Sequence, residues 1–142
     1  MTPKQRVSIR IESRIDGQES AHTAEGDLYL KGKHAYIRYE ESGAELGKTT
    51  TLIRLDPDEV KIIRQGDIQS EQIFVPGEQR IGFYHTAQAK LELVVHTHDW
   101  NFELNNGLGH VSWSYDLYMA GDHAGLYRLK LLIQEGHRDE RT

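Results

Sequence analysis

Val111-Ser112-Trp113-Ser114-Tyr115-Asp116-Leu117-Tyr118-Met119, then Gly121-Asp122-His123-Ala124-Gly125, then Leu126-Tyr127-Arg128-Leu129-Lys130-Leu131-Leu132-Ile133 is the stretch that decides the fold. In its first part Val111, Trp113, Tyr115, Leu117 and Met119 share one face against Ser112, Ser114 and Asp116. In its last part Tyr127, Leu129, Leu131 and Ile133 do the same against Arg128, Lys130 and Gln134. Successive side chains of a strand point to opposite faces, so an apolar period of two reads as a half-buried strand. Two such runs joined by a Gly-rich link read as one long hairpin.

The same rhythm extends outward to both termini. Val7, Ile9, Ile11 and Ile15 alternate with polar residues up to Asp16-Gly17, a dipeptide suited to the positive φ angles of a tight turn. Further strands are expected over Glu19–Leu30, His34–Glu40, Thr49–Ile53, Val60–Arg64, Ile68–Val75 and Arg80–Tyr84. The punctuation between them falls at Lys31-Gly32-Lys33, the loop Glu41–Gly47, Asp56-Pro57-Asp58, Gly66-Asp67 and Pro76-Gly77. Thr86–Lys90 is the one helix-forming stretch, long enough for a single turn capped by Thr86. Leu91, Leu93 and Val95 resume the alternation, and Trp100, Phe102 and Leu104 follow.

About 8–10 consecutive strands with no helical layer predict an all-β domain, an antiparallel up-and-down barrel, because closure removes exposed sheet edges. A two-sheet sandwich is the alternative. The domain is expected to span residues 1–136, with 137–142, mixed in charge and free of apolar residues, as a disordered polar tail.

Composition narrows the function classes. The chain of 142 residues has no cysteine, which removes disulfides and thiol chemistry and suits a reducing compartment. No apolar run approaches the length of a membrane helix and the first residues do not resemble a secretory leader, so a cytoplasmic address is expected, without a membrane partner. Seventeen basic against twenty-two acidic residues give a net charge of -5 with no basic stripe, which argues against nucleic acid. No motif calls for a cofactor: Gly-x-Ser-x-Gly is absent, and no Gly-rich loop leads from a strand into a helix.

Tyr39-Glu40-Glu41, then Ile63-Arg64-Gln65-Gly66 with Phe74-Val75-Pro76-Gly77, then Tyr84 with Leu91-Glu92-Leu93 and Thr97, and finally Gly109 to Leu117, resemble the successive motifs of the YwiB-like family of small bacterial proteins. The likeness covers nearly the whole chain in order. It implies a calycin-like β-barrel, related in architecture to lipocalins, and a function not yet known. Ala87-Gln88-Ala89-Lys90 departs from the Pro/Gly turn that the pattern calls for after the tyrosine.

Arg64 is the most informative single residue, since it falls in register with Val60 and Ile62. If they point inward, so does its guanidinium, a planar fork matched to a carboxylate ligand head. The alternatives place it at the rim, or pair it with Glu40 or Asp116. Tyr39, Tyr84 and Tyr115 join it as candidate ligand contacts, with Tyr127 as a further hydroxyl; a filled core with hydroxyls reaching the surface is the other reading. Trp113 is either cavity wall or core.

His96 and His98 share an outer face, and with His85, His110 or Asp99 as a third donor they make only a faint metal pattern, so no metal is expected. Glu40 and Glu41 point to opposite faces if the strand runs through them, which disfavours a glycosidase pair.

The resulting expectation is a barrel that binds a small, partly apolar or anionic molecule, with binding preferred over catalysis and enzymatic activity left open. The alternative is a filled barrel that acts as an interaction module and self-associates as a homodimer, with Leu132 interrupting the polar face of the last strand. A small lyase or isomerase would need a tyrosine or carboxylate of shifted pKa beside Arg64.

Overall fold

The structure, a computed structural model, describes residues 4–41 and 47–136. Ten strands follow one another: β1 (Lys4–Ile15), β2 (Gln18–Lys31), β3 (His34–Glu41), β4 (Thr49–Asp56), β5 (Glu59–Gly66), β6 (Gln69–Phe74), β7 (Gln79–His85), β8 (Lys90–Asn105), β9 (Leu108–Met119) and β10 (Asp122–Glu135). Each pairs antiparallel with its neighbours in sequence. β1 pairs with β10, from Val7 opposite Glu135 to Ile15 opposite Tyr127, and so closes the sheet into a barrel. The expected tail, residues 137–142, lies outside the described residues.

Alternation decides which side chains go inside. Val7 and Ile9, Ile37 and Tyr39, Ile53 and Leu55, Val60 and Ile62, Leu93 and Val95, Val111 and Trp113, and Leu131 and Ile133 are all buried. Charged residues such as Arg10, Arg38 and Glu40 stand on the outer face. An apolar interior with a polar exterior is the inverse of an outer-membrane barrel. Among the described residues no helix is long and apolar enough to cross a membrane.

Two local irregularities adjust the rhythm. In β8 the inward positions are odd-numbered as far as Thr97 and even-numbered from Trp100, because a bulge takes up His98 and Asp99. A second register shift lies between His123 and Gly125 in β10. Ile15, expected inside, is 40% exposed, because the β1–β2 hairpin runs past the body of the barrel. Thr86 to Ala89 forms no helix; the Thr86 hydroxyl accepts from the backbone N–H groups of Gln88 and Ala89 and makes a side-chain turn.

Antiparallel order sends alternate turns to opposite ends. We call the end with turns at 16–17, 67–68, 86–89 and 120–121 the upper end, and the end with turns at 32–33, 57–58, 75–78 and 106–107 the lower end. The middle is packed solid. Phe74 and Trp113 are both fully buried with ring centroids 5.0 Å apart, and Tyr115 lies 4.7 Å from Phe74. Trp100 packs against Trp113 with its ring tilted by 40° and donates its indole N–H to the Pro57 carbonyl at 2.9 Å, tying the β4–β5 turn onto the lower end.

Candidate functional site

Both ends of the barrel carry apolar residues that pack on the core and still meet solvent: Trp100, Phe102, Leu104 and Leu108 at the lower end, and a second set at the upper. Ile11, Ala24, Tyr84, Met119, Tyr127 and Leu129 occupy inward positions yet remain partly exposed, while inward residues at mid-barrel are shielded from solvent. Side chains that point into a barrel and still meet water form the rim of its end, and we call the upper rim the mouth.

A lateral row crosses that mouth. Tyr39 on β3 stands opposite Thr51 on β4, Thr51 opposite Arg64 on β5, Arg64 opposite Ser70 on β6, and Ser70 opposite Tyr84 on β7. Arg64 therefore faces inward with Val60 and Ile62, as its register requires. Its partner is neither Glu40 nor Asp116 but Glu41. Arg64 Nε donates to Glu41 Oε2 at 3.2 Å, with the carboxylate side chain only 8% exposed and the arginine side chain 25%. The Thr51 hydroxyl donates to the same carboxylate oxygen.

The sequence places Glu41 at the start of the loop after β3. It is instead the last residue of that strand and continues the inward series Ile37, Tyr39, Glu41. Glu40 points outward, where it accepts from Thr50 at 3.1 Å and meets Arg38 at 3.6 Å. The signal for Glu41 was the two-residue rhythm itself, carried one residue beyond the expected strand end.

Two phenols complete the polar end. Burial pushes the Tyr39 hydroxyl pKa well above its ordinary value and the nearby Glu41 carboxylate adds to the rise, against opposing pulls from Arg64 and Thr51. Burial also raises Tyr115, as does Tyr127, whose ring stacks on it at 5.3 Å, while Arg64 pulls the other way. Both shifts lead away from neutral pH, so these phenols are fixed hydrogen-bonding hydroxyls and do not titrate as bases there. Arg64 is thus the shared electrostatic neighbour of Tyr39 and Tyr115.

Of the five buried side-chain polar atoms without a hydrogen-bond partner among the described residues, three belong to inward side chains here: Ser70 Oγ, Thr97 Oγ1 and Trp113 Nε1. Ser70 is beside Arg64 in the lateral row, Thr97 is opposite Tyr115, and Trp113 is two residues from Tyr115 on the same face. A buried hydroxyl or indole N–H left unpaired costs about 1–3 kcal/mol, which a guest molecule or an ordered water recovers. Of the two roles open to Trp113, the structure gives it the core, packed between Phe74 and Trp100 below the mouth. Arg64, Tyr39, Tyr84 and Tyr115 are brought together at the upper end.

The histidine pattern resolves into an outer-face network. His96 and His98 lie with ring centroids 4.6 Å apart. His98 Nε2 meets Asp116 Oδ2 at 2.6 Å and His123 Nε2 meets Asp116 Oδ1 at 2.9 Å, so the two bulged strands each present a histidine to one β9 carboxylate. No group of three or more His, Asp or Glu among the described residues is arranged to hold a metal ion.

Residues 7–131 match the model of a family described as a domain of unknown function, DUF1934. The chain belongs to the DUF1934 family. The chain is similar to the "Uncharacterized beta-barrel protein YwiB" of Bacillus subtilis (strain 168), 25% identical over 134 residues that cover 92% of this chain and 94% of that protein. The crystal structure of the ywiB protein from Bacillus subtilis superposes with a TM-score of 0.78 at 23% identity over 96% of each chain. That likeness shows the DUF1934 fold as a closed barrel along the full described length, in keeping with the resemblance carried by the sequence motifs.

Proposed function

We propose that this DUF1934 barrel is a binding protein of the calycin type, acting in the cytoplasm and holding a small, partly apolar molecule in its upper mouth. One observation carries the reading: an inward Arg64–Glu41–Thr51 network lies beside the orphaned Ser70 hydroxyl, under apolar walls that solvent reaches. Small-molecule sites combine a mostly apolar lining with a few fixed polar groups, and this end has both. The filled middle restricts the occupant to the upper part, in contrast to a lipid threaded along the whole barrel.

Native mass spectrometry and organic extraction of the purified protein test this reading. A retained compound released in proportion to protein is expected, and Arg64→Met protein should lose it. Bare protein mass from several expression hosts, with no change in tyrosine or Trp113 spectra on adding small amphiphiles, would refute it.

A second reading has an observation of its own. β2 pairs with β1 over Gln18–Tyr29 but with β3 only over Gly26–Lys31, so one edge of residues 18–25 meets no strand among the described residues, and an unpaired edge is a template for strand addition. Homodimer formation through it is a second proposal, checked by sedimentation of the wild type against His22→Pro protein. A monomer at all concentrations removes it.

A further inference from the structure

The arginine at the mouth invites an acidic ligand, yet its surroundings argue against one. Arg64 brings one positive charge and Glu41 one negative charge, and the two are already joined at 3.2 Å. Tyr39 and Tyr115 add no charge at neutral pH, since both hydroxyls hold their protons more tightly than free phenol. The polar end is therefore electrically balanced before any ligand arrives. A carboxylate entering beside Arg64 would approach Glu41 as a like charge, and a quarter-exposed guanidinium engaged by its own partner offers little to offset the lost hydration.

The unsatisfied groups call for something else. The Ser70 hydroxyl, 3% exposed, lies next to Arg64 in the lateral row, and no partner reaches its oxygen. Among the described residues no side chain is bonded to the terminal nitrogens of Arg64; the one contact is through Nε. Those N–H groups donate only, and a serine hydroxyl both donates and accepts. Their complement is an uncharged oxygen acceptor that carries, or sits beside, a donor.

We propose that the upper mouth selects an electrically neutral polar head, of the carboxamide, ketone or alcohol class, on an apolar body, and discriminates against the matching carboxylate. The inference rests on the binding function proposed above and supplies the chemical class of its ligand. Tyr84, Met119 and Leu129 give the body its wall, while Ser70 and the free edge of Arg64 receive the head.

The test uses two probes that differ only in charge, 4-phenylbutyramide and 4-phenylbutyrate, titrated into the whole chain by ligand-observed NMR at neutral pH and moderate salt. The amide should bind at least about tenfold more tightly, a difference of about 1.4 kcal/mol. Glu41→Gln protein, whose mouth carries a net positive charge, should reverse or erase that preference. If the Gln variant fails to fold, the wild-type ratio still decides. Equal or tighter binding of the carboxylate overturns the neutral-head inference and leaves the binding function standing. Binding of neither probe overturns both.

Discussion

Breaking the Arg64–Glu41 pair should cost more than removing both of its members allows by addition. Two unit charges about 4 Å apart attract by roughly 4 kcal/mol at an effective dielectric of ~20, and burying them returns part of that. Glu41 has little access to water and Arg64 has some, at 8% and 25% side-chain exposure. Arg64→Met therefore strands a buried carboxylate, held only by the Thr51 hydroxyl, and should lose about 3 kcal/mol. Glu41→Gln leaves a guanidinium that still reaches water, and should lose about 1.5 kcal/mol. With a coupling of about 2 kcal/mol, the double variant should lose about 2.5 kcal/mol, less than Arg64→Met alone. Urea unfolding followed by tryptophan fluorescence reads all four proteins, because Trp113 passes from full burial to water. At an m-value of roughly 2 kcal/mol per molar, the Arg64→Met midpoint should fall by about 1.5 M. Losses that add to within about 0.5 kcal/mol would show that the two side chains do not meet in solution, and the inward course of Arg64 would be refuted with them.

Trp113→Ala empties the centre of the aromatic core beside Phe74 and should destabilise by about 3–5 kcal/mol, seen in urea unfolding followed by far-ultraviolet circular dichroism; a loss below about 1 kcal/mol would mean that the middle of the barrel is not packed solid. Gly66 holds φ at +149°, and a Cβ there would stand 2.2 Å from the Lys48 carbonyl oxygen, so Gly66→Ala should lower stability by about 1–3 kcal/mol; an unchanged melting temperature would contradict the close approach of β4 and β5 at that point. The hydrogen bonds from His123 and His98 lower the Asp116 pKa below its ordinary 3.8. As acid is added, the unfolded chain takes up that proton first, so the stabilisation is present above 3.8 and fades as pH falls through the lower folded value. Because the Asp116 side chain is a quarter exposed and its two histidine partners more so, solvent screening keeps the gap to Asp116→Asn below about 1 kcal/mol at neutral pH, and it should close in acid; a gap that widens with acid reverses the sign and the assignment.

How much of this was legible in the chain depends on the range of the interaction involved. That Arg64 points inward follows from Val60 and Ile62 alone, because pleating fixes the face of every second residue. The identity of its partner does not follow, since Glu40 and Glu41 differ by one residue in where β3 ends, and strand ends are set by pairing with β4. The bulge at His98 and Asp99 left a trace, the change from odd to even inward positions between Val95 and Trp100, but only the pairing with β9 shows that an extra residue is accommodated there. The exposure of Ile15 reflects the length of β1 beyond the barrel, which depends on β10 and not on local propensity.

By itself, the sequence determined the meander of antiparallel strands, the sorting of side chains into lumen and surface, and the placement of one basic group in an apolar lining. These are short-range consequences of backbone geometry and of withdrawing hydrocarbon from water, and they are written in neighbouring residues. Only the tertiary structure decided that aromatic rings fill the middle of the lumen around Trp113 and Tyr115, and that the basic group is already neutralised by Glu41. Both depend on how side chains from strands far apart in the chain fill a common volume, and volume and charge balance are properties of the closed cylinder that no single strand carries.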